Sequence, residues 1–292
     1  MAPSAPKVFL VTGSSRGLGR AIADAVLDAG HRLVATARDA GALDDLVAAG
    51  GDRVRAVALD VVDPDAARAA VQTAVDAFGR LDVLVNNAGY ADLAAIEDVT
   101  LDAFRAQIDT NLLGVVNVTK AALPVMREQG AGHVIQVSSV GGRMATPGLG
   151  AYQAAKWAVG GLSEVLAAEV APLGIKVTVL EPGGMRTDWA GSSMAIPPIS
   201  EPYAPTVGAS AERMTGFATA AVGDPAKVAQ LVLRVADLDE PPLRLLVGSD
   251  AYNYGRAAWQ ARIEDDARWA SLSTSTDRDD ATTAERDPLS RA

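Results

Sequence analysis

Short, almost wholly apolar runs rich in β-branched residues alternate along the chain with longer Ala-rich segments of helical period. The runs are nearly continuous in hydrophobicity, which is typical of strands that helices cover on both faces. Strand–helix alternation at this spacing predicts one α/β domain of the Rossmann type, a doubly wound parallel sheet of about seven strands with helices on both faces. The seven predicted strands are residues 7–12, 32–37, 54–60, 83–86, 133–138, 176–181 and 244–248.

The composition excludes several classes of site and partner. The 292 residues include no cysteine, which rules out disulfides, thiolate nucleophiles and Cys-based zinc sites. The two histidines, His31 and His133, lie far apart at the starts of predicted strands, so we expect no metal site and no His-based triad. A formal net charge of −10 argues against a nucleic-acid partner, whose binding surface would be basic.

Neither terminus has the pattern of a membrane or export signal. Residues 1–7 lack an apolar signal-peptide core, and no apolar run reaches the ~18 residues of a membrane span. We therefore expect a cytoplasmic protein without membrane contact. Residues 273–292 are rich in Ser, Thr, Asp, Arg and Ala and predict a disordered tail, which leaves residues 1–272 as the folded domain.

One segment, residues 184–224, interrupts the alternation with four prolines and several Gly and Ser residues. Irregular segments of this length in compact enzymes are often lids, and this one follows the carboxyl end of a predicted strand, where open α/β sheets bind ligands. A solvent-exposed insertion without a role is the alternative. The segment's large apolar residues indicate either a pocket cover or core packing, and they are Met185, Trp189, Met194, Ile196, Ile199, Tyr203 and Met214.

A glycine-rich loop follows the first predicted strand directly and leads into the first predicted helix. Glycines allow a tight turn and a close approach of the backbone to a ligand, and the helix N-terminus offers free N–H groups to a pyrophosphate. The spacing is Gly-x-x-x-Gly-x-Gly, in the position that the mechanism of dinucleotide binding requires. The loop residues predicted to bind the cofactor are Gly13, Ser15, Arg16, Gly17, Leu18 and Gly19.

The end of the second predicted strand indicates which dinucleotide binds. A carboxylate there would hydrogen-bond the ribose 2′-hydroxyl of NAD, whereas an arginine accommodates the 2′-phosphate of NADP. The strand ends at Arg38, with no carboxylate before Asp39, and Arg16 adds a second cation nearby. Either arginine alone could be a solvated surface charge, but the two together favour NADP(H).

Tyr152 and Lys156 are four residues apart, so a helix would place the phenol and the ammonium on one face. A neighbouring cation favours phenolate, which predicts a lowered pKa for Tyr152 and a role in acid–base chemistry. The spacing also occurs by chance on solvated helices. Ser138 and Ser139 lie shortly upstream, and alternation along a strand would send their side chains in opposite directions.

Taken together, these motifs resemble the short-chain dehydrogenase/reductase family from residue 7 to about residue 249. The length and the segment 181–189 look most like its branch near the 17β-hydroxysteroid dehydrogenases. The resemblance implies that Asp60 and Val61 lie against the adenine and that the Asn-Asn-Ala-Gly stretch borders the cofactor. The further cofactor-binding residues that it implies are Asn87, Ala88, Gly89, Pro182, Gly183 and Thr187, together with Tyr152 and Lys156.

The resemblance also implies the chemistry. Tyr152 would exchange a proton with the oxygen of a carbonyl or alcohol substrate, and Ser139, favoured over Ser138 by the family spacing, would hold that oxygen. Lys156 would hydrogen-bond the nicotinamide ribose and favour the tyrosinate. Asn111 would anchor a water chain that relays protons to Lys156; a local kink or a solvated polar residue is the alternative.

The expected function is therefore an NADP(H)-dependent ketoreductase or alcohol dehydrogenase that acts on a small-molecule carbonyl or alcohol, with a bulky, mostly apolar ketone favoured. Epimerisation or dehydration on the same scaffold, and a non-catalytic protein that senses the dinucleotide, are the alternatives. Relatives of the sensing kind usually lose the Tyr or the Ser, and this chain keeps both. The family also implies a homodimer or homotetramer built on the helices around residues 102–129 and 150–173.

Overall fold

A computed structural model describes residues 5–186 and 194–287, with the backbone alone for residues 215–220. Seven parallel strands form one sheet in the order β3-β2-β1-β4-β5-β6-β7, which confirms the predicted fold class. The strands are β1 (Val8–Val11), β2 (Arg32–Ala37), β3 (Val54–Ala58), β4 (Val83–Asn86), β5 (Gly132–Val137), β6 (Ile175–Pro182) and β7 (Arg244–Val247).

Helices connect the strands and cover both faces of the sheet. In chain order they are α1 (Gly17–Asp28), α2 (Asp44–Gly50), α3 (Pro64–Phe78), α4 (Leu101–Ile108), α5 (Gly114–Gln129), α6 (Gly150–Val170), α7 (Ala209–Ala220), α8 (Pro225–Ala236), α9 (Ser249–Thr274) and α10 (Thr283–Arg286). Two of them begin at a capping aspartate followed by a proline. The carboxylates of Asp63 and Asp224 accept hydrogen bonds from backbone N–H groups in the first turns of α3 and α8, which start at Pro64 and Pro225.

The core has two layers because the sheet is apolar on both faces. One layer packs α1, α2 and α8 against the sheet, and the other packs α3, α5 and α6 against the opposite face. Strand side chains alternate between them: Phe9 and Val11 lie in the first layer, whereas Val8 and Leu10 lie in the second. This two-sided burial accounts for the nearly continuous apolar runs in the sequence.

The order of the strands reverses between β1 and β4, where the chain crosses from one half of the sheet to the other. The Thr12 hydroxyl bridges the two strand ends by accepting hydrogen bonds from the backbone N–H groups of Asn87 and Ala88, both at 2.9 Å. The Asn87 amide donates in return to the Thr12 carbonyl at 2.9 Å. Such a switch point leaves a crevice at the carboxyl ends of the strands.

A buried ion network lies at the same edge of the sheet. Glu181, near the end of β6, is fully buried and accepts hydrogen bonds from Arg143 at 2.7 Å and from Arg244 at 3.1 Å. Arg244 also donates to Glu164 of α6 at 2.8 Å. Paired and hydrogen-bonded burial is the condition under which a carboxylate can stay charged inside a protein. The network joins the loop after β5 to β6, β7 and α6.

The predicted lid is only partly irregular. Within it a 3₁₀ turn (Glu201–Tyr203) and a π turn (Ala204–Gly208) lead into α7. Met194, Ile199, Tyr203 and Met214 pack in a cluster that includes Tyr152, and Ile196 is partly exposed, while Trp189 lies outside the described residues. This packing fits a cover over the crevice; closure of the segment stays a prediction.

The predicted boundary of the tail falls inside a helix, since α9 continues to Thr274. Beyond it the chain forms turns and α10, whose capping box joins Thr282 and Glu285. No residue from 275 to 287 is buried, and the disorder of this stretch stays a prediction. Among the described residues, no helix is both long and apolar enough to cross a membrane.

His133 lies at the start of β5 and is 3% exposed. Its Nε2 contacts the Thr178 hydroxyl at 3.0 Å, and its Nδ1 is buried without a hydrogen-bond partner among the described residues. Burial, with the positive charges of Lys176 and Lys7, lowers the pKa of His133 to about 4. The histidine is therefore a neutral core residue.

This burial predicts acid sensitivity. Between pH 6.5 and pH 4 the unfolded chain binds a proton at His133 that the folded chain does not, so stability falls as the pH falls. We expect the proton uptake of unfolded His133 to lower the free energy of unfolding by about 2 kcal/mol when the pH falls from 7 to 5. Urea unfolding of the wild type and of His133→Gln across that range measures the difference, and parallel pH profiles for the two proteins would contradict it.

Candidate active site

A cleft of about 1370 Å³ opens at the carboxyl ends of the strands. It brings together all of the predicted site residues within the described part of the chain; Thr187 lies outside the described residues. The predicted residues that line it are Gly13, Ser15, Arg16, Gly17, Leu18, Gly19, Arg38, Asp60, Val61, Asn87, Ala88, Gly89, Asn111, Ser139, Tyr152, Lys156, Pro182 and Gly183.

The glycine loop between β1 and α1 has the form that an anion site needs. Gly13 and Gly17 have φ angles of 70° and 57°, a conformation that favours glycine. A Cβ on Gly19 would overlap the Gly13 carbonyl oxygen, so the loop can close only with glycine there. No side chain caps the N-terminus of α1, which leaves its N–H groups to a ligand. The loop thus fits a pyrophosphate.

Arg16 and Arg38 lie at one end of this cleft, beside the loop and the end of β2. Neither has a carboxylate within 4.0 Å among the residues that the structure describes. Asp39 also lines the cleft, where its carboxylate accepts the N–H of Gly41 at 3.0 Å and begins a short 3₁₀ turn. Two cations without a partner fit a phosphate group.

Asn111 is fully buried in a π turn (Asp109–Leu113) between α4 and α5, a geometry that is frequent at functional sites. Its amide donates to the carbonyls of Tyr90 at 2.8 Å and Gln107 at 2.9 Å, and its Oδ1 accepts from the Tyr90 N–H at 3.2 Å. A Cβ on Gly89 would lie 2.5 Å from that Oδ1. Asn111 is therefore a buried, hydrogen-bonded residue at a local irregularity of the helix and not a surface polar residue.

Tyr152 and Lys156 lie on the first two turns of α6, on the face that packs against the end of β5. A side-chain hydrogen bond joins Ser139 to the Tyr152 phenol. The Lys156 ammonium lies 5.7 Å from the centre of the Tyr152 ring and donates to the Val137 carbonyl at 2.9 Å. Ser138 donates instead to the Lys156 carbonyl at 3.3 Å, away from the phenol. Of the two serines, Ser139 is thus the one beside Tyr152.

The pKa of Tyr152 departs from the sequence-based prediction. Burial raises it to about 12, and the hydrogen bond from Ser139 offsets only part of that rise. Burial also lowers the pKa of Lys156 to about 8. The prediction of a lowered tyrosine pKa is wrong for this structure, because the loss of solvation of the phenolate outweighs the help of its neighbours.

The cleft also contains side chains that no sequence motif marked. Met144 and Gln153 line the cleft near the serine and the tyrosine, and the side-chain Oε1 of Gln153 accepts the N–H of Thr146 at 2.9 Å. Later parts of the chain contribute Ser210, Arg213, Asp250 and Tyr254. In the sequence, only the spacing of Asp250 and Tyr254 indicates that these two side chains lie together, since residues four apart share a helix face.

Comparison with known proteins identifies the class. A family model for short chain dehydrogenases matches residues 7–195. The chain is 55% identical over 268 residues to the oxidoreductase BOA17 of Botryotinia fuckeliana, covering 91% of this chain and 98% of that protein. A short-chain dehydrogenase structure from Streptomyces avermitilis superposes with a TM-score of 0.87 at 39% identity, covering 94% of this chain and 100% of that one.

A more distant match is the alcohol dehydrogenase of the archaeon Thermococcus sibiricus, solved with 5-hydroxy-NADP. Its TM-score is 0.69 at 27% identity, with 83% of this chain and 96% of that one covered. Fold, cleft and comparisons together define a dinucleotide-dependent oxidoreductase. The chain belongs to the short-chain dehydrogenase/reductase family, as its motifs predict. The narrower 17β-hydroxysteroid dehydrogenase-like branch stays a prediction.

The burial of Lys156 predicts that this residue weakens the cofactor-free fold. Lowering its pKa from 10.5 to about 8 means that folding disfavours the charged form by about 3 kcal/mol. Replacing Lys156 by Met would remove this cost but would also lose the hydrogen bond to Val137, which is worth about 1 kcal/mol. We expect the free energy of unfolding of Lys156→Met to exceed that of the wild type by about 1–2 kcal/mol at pH 7. The gain should shrink as the pH rises from about 8 toward 10.5, because the folded lysine is then neutral and the unfolded lysine increasingly loses its proton too, which removes the difference between the two states.

Urea unfolding of the cofactor-free proteins at pH 7 and pH 10 tests this, with the exposed Lys120→Met on α5 as the matched control. A less stable Lys156→Met at pH 7 would show that the ammonium supports the fold.

Proposed function

We propose that this protein is an NADP(H)-dependent ketoreductase or alcohol dehydrogenase in which Tyr152 exchanges a proton with the substrate oxygen. The observation that carries the proposal is the group formed by Ser139, Tyr152 and Lys156, which lines the same cleft as the glycine loop. The nicotinamide supplies or accepts the hydride. The protein has to bind the dinucleotide, orient the substrate and move one proton.

The cleft divides the binding task among its elements. The loop Gly13–Gly19 and the N-terminus of α1 hold the pyrophosphate, and Arg16 and Arg38 hold the 2′-phosphate. Asp60 and Val61 border the adenine. The NADP derivative in the related alcohol dehydrogenase from Thermococcus sibiricus supports the same cofactor here. We also propose that Thr187, which lies outside the described residues, contacts the nicotinamide end of the cofactor.

Proton transfer depends on the state of Tyr152. With a pKa of about 12 the buried phenol carries its proton at neutral pH, which is the form that donates to a carbonyl oxygen in reduction. Ser139, already hydrogen-bonded to the phenol, is placed to hold that oxygen in line. Lys156, with a pKa of about 8, keeps positive charge near the phenol and favours its transient ionisation.

Asn111 lies on the route by which a proton would reach Lys156. The Gly89 backbone separates the two side chains, since a Cβ there would lie 2.5 Å from Asn111 Oδ1 and 3.7 Å from Lys156 Nζ. Both hydrogens of the Asn111 amide are used by carbonyls, so a relay water would bind to an oxygen of this residue.

Several large apolar side chains line the cleft, which supports an apolar substrate. Met144, Pro147, Leu149, Met185 and Met214 contribute to its lining. Arg213, whose guanidinium donates to Ser210 at 3.1 Å, adds one cation there. A substrate screen by NADPH oxidation should therefore include apolar ketones and, for each keto acid, the corresponding methyl ester.

Exposed apolar side chains on the helices of one flank support assembly of copies of this chain. Leu101 of α4, Trp157 and Val165 of α6, and Leu113 beside α5 are 71%, 37%, 58% and 46% exposed. Large apolar side chains exposed on neighbouring helices can form an association surface. These helices fall in the ranges 102–129 and 150–173 or at their margins, so a homodimer or homotetramer built on them is our proposal.

The central test is Tyr152→Phe. Removing the hydroxyl leaves the ring packing and the cofactor residues in place, so NADPH binding should persist. Turnover of any ketone found in the screen should fall by about 10²–10⁴-fold, because the proton donor is gone. Tyr254→Phe is the matched control in the same cleft. Turnover that survives in Tyr152→Phe would refute the role of the phenol.

Cofactor choice has its own test in Arg38→Asp. A carboxylate beside the 2′-phosphate replaces attraction by repulsion, so we expect NADPH affinity to fall by at least about tenfold more than NADH affinity. Fluorescence titration with both dinucleotides measures this ratio. The control variant Arg32→Asp, at the opposite end of β2, should change the affinity for neither NADPH nor NADH. An equal loss for the two dinucleotides would count against the 2′-phosphate site.

A further inference from the structure

The turn that follows β6, Pro182-Gly183-Gly184, borders the cleft and is held by a carboxylate from a distant helix. Asp250 lies in the first turn of α9, and its Oδ2 accepts the backbone N–H of Gly184 at 2.8 Å. The preceding N–H, that of Gly183, donates to the Val247 carbonyl at 3.0 Å. Both amide groups of the turn are therefore bonded to the protein.

The surroundings of this carboxylate are shaped closely around it. A Cβ on Gly183 would lie 2.5 Å from Asp250 Cγ, and a Cβ on Gly248 would lie 2.7 Å from Asp250 Oδ1. Gly248 also has a φ of 103°, a conformation that other residues rarely adopt. Glycine on both sides lets the carboxylate lie directly against two strand ends, where a larger residue would displace it.

The second oxygen of Asp250 has no structural use of its own. Oδ1 is buried and has no hydrogen-bond partner among the described residues. A buried polar atom without a partner costs free energy, and proteins mostly retain such costs at functional sites. The first turn of α9 partly offsets the cost, since a helix N-terminus favours negative charge.

The far side of the turn is fixed as well. The Gly184 carbonyl accepts the N–H of Gly223 at 3.0 Å, and the Gly223 carbonyl accepts that of Arg186 at 3.1 Å. Asp250 holds one side of the turn and Gly223 the other, so the backbone of the turn cannot shift unless one of these bonds breaks.

We propose that Asp250 is a positioning residue that fixes the Pro182-Gly183-Gly184 turn in the shape that receives the nicotinamide half of NADP(H). This inference rests on the proposed function, since it takes the cleft as the cofactor site. It assigns no proton transfer to Asp250. The residue acts through its hydrogen bond with the Gly184 N–H. Binding of the adenine half of the cofactor, at Arg16 and Arg38, should therefore not depend on Asp250.

That division gives a test that unfolding or general damage would not mimic. Asp250→Ala should raise the Kd for NADP⁺ about tenfold, the effect of losing a hydrogen bond to a charged group. The Kd for adenosine 2′,5′-bisphosphate, which lacks the nicotinamide half, should stay unchanged. Asp250→Asn, which keeps an oxygen for the Gly184 N–H, should bind NADP⁺ like the wild type. Asp266→Ala, exposed on the same helix, is the control.

A second arm tests the contact with Gly183. Gly183→Ala should weaken NADP⁺ binding in the wild type, because its Cβ displaces the carboxylate. In the Asp250→Ala background the same change should add little further loss, since the obstacle is absent. Strictly additive losses would show that the two residues act separately and would overturn the inference.

The remaining outcomes are also decisive. Equal loss of NADP⁺ and bisphosphate affinity in Asp250→Ala, or a loss in Asp250→Asn as large as in Asp250→Ala, would overturn the positioning role. Failure of the wild type to bind NADP⁺ would instead refute the proposed function, so the two failures are distinguishable.

Discussion

The reversal of strand order between β1 and β4 is the constraint on which the site depends. It leaves a crevice because the crossover connections leave the two central strand ends in opposite directions. The Thr12 hydroxyl and the Asn87 amide close the floor of that crevice by joining the two strand ends. Every functional side chain then has to arrive at the same edge, because parallel strands all end there. The glycine loop, the serine and the turn after β6 follow β1, β5 and β6, respectively.

The same edge concentrates buried charge. Lys156, Glu181 and Asp250 each have at least one charged atom buried there, and each is held differently. Glu181 is paired with two arginines. Among the described residues, Lys156 donates to one carbonyl and lies beside the Tyr152 ring, and Asp250 has one hydrogen-bonded oxygen. Glu181, Arg143 and Arg244 are not among the described residues that line the cleft, whereas Lys156 and Asp250 line it. This distribution is expected where stability is sacrificed for a site that a charged ligand completes.

The sequence predicts the sheet and the cofactor half of the cleft because both depend on local patterns. Seven apolar runs gave seven strands, and every predicted residue of the described chain lines the cleft. It could not predict Asp250 or Arg213, which reach the cleft from α9 and α7 through tertiary packing. It also gave the wrong direction for the pKa of Tyr152. The spacing to Lys156 reveals a nearby cation, but only the fold reveals how completely the phenol is buried.

The match to a family model covers only some of the residues that line the cleft. The match to the short-chain dehydrogenase family ends at residue 195, and all predicted cofactor-binding residues precede that point. Ser210, Arg213, Met214, Asp250 and Tyr254 come after it and also line the cleft. The family match thus covers the residues that we propose for cofactor binding and proton transfer, whereas the later residues of the lining lie outside it. Arg262 of α9 also donates to the Arg143 carbonyl at 2.8 Å, four residues past Ser139. The later segment therefore contacts both the serine loop and the turn after β6, so a change in substrate pocket and a change in catalytic geometry cannot be fully independent in this fold.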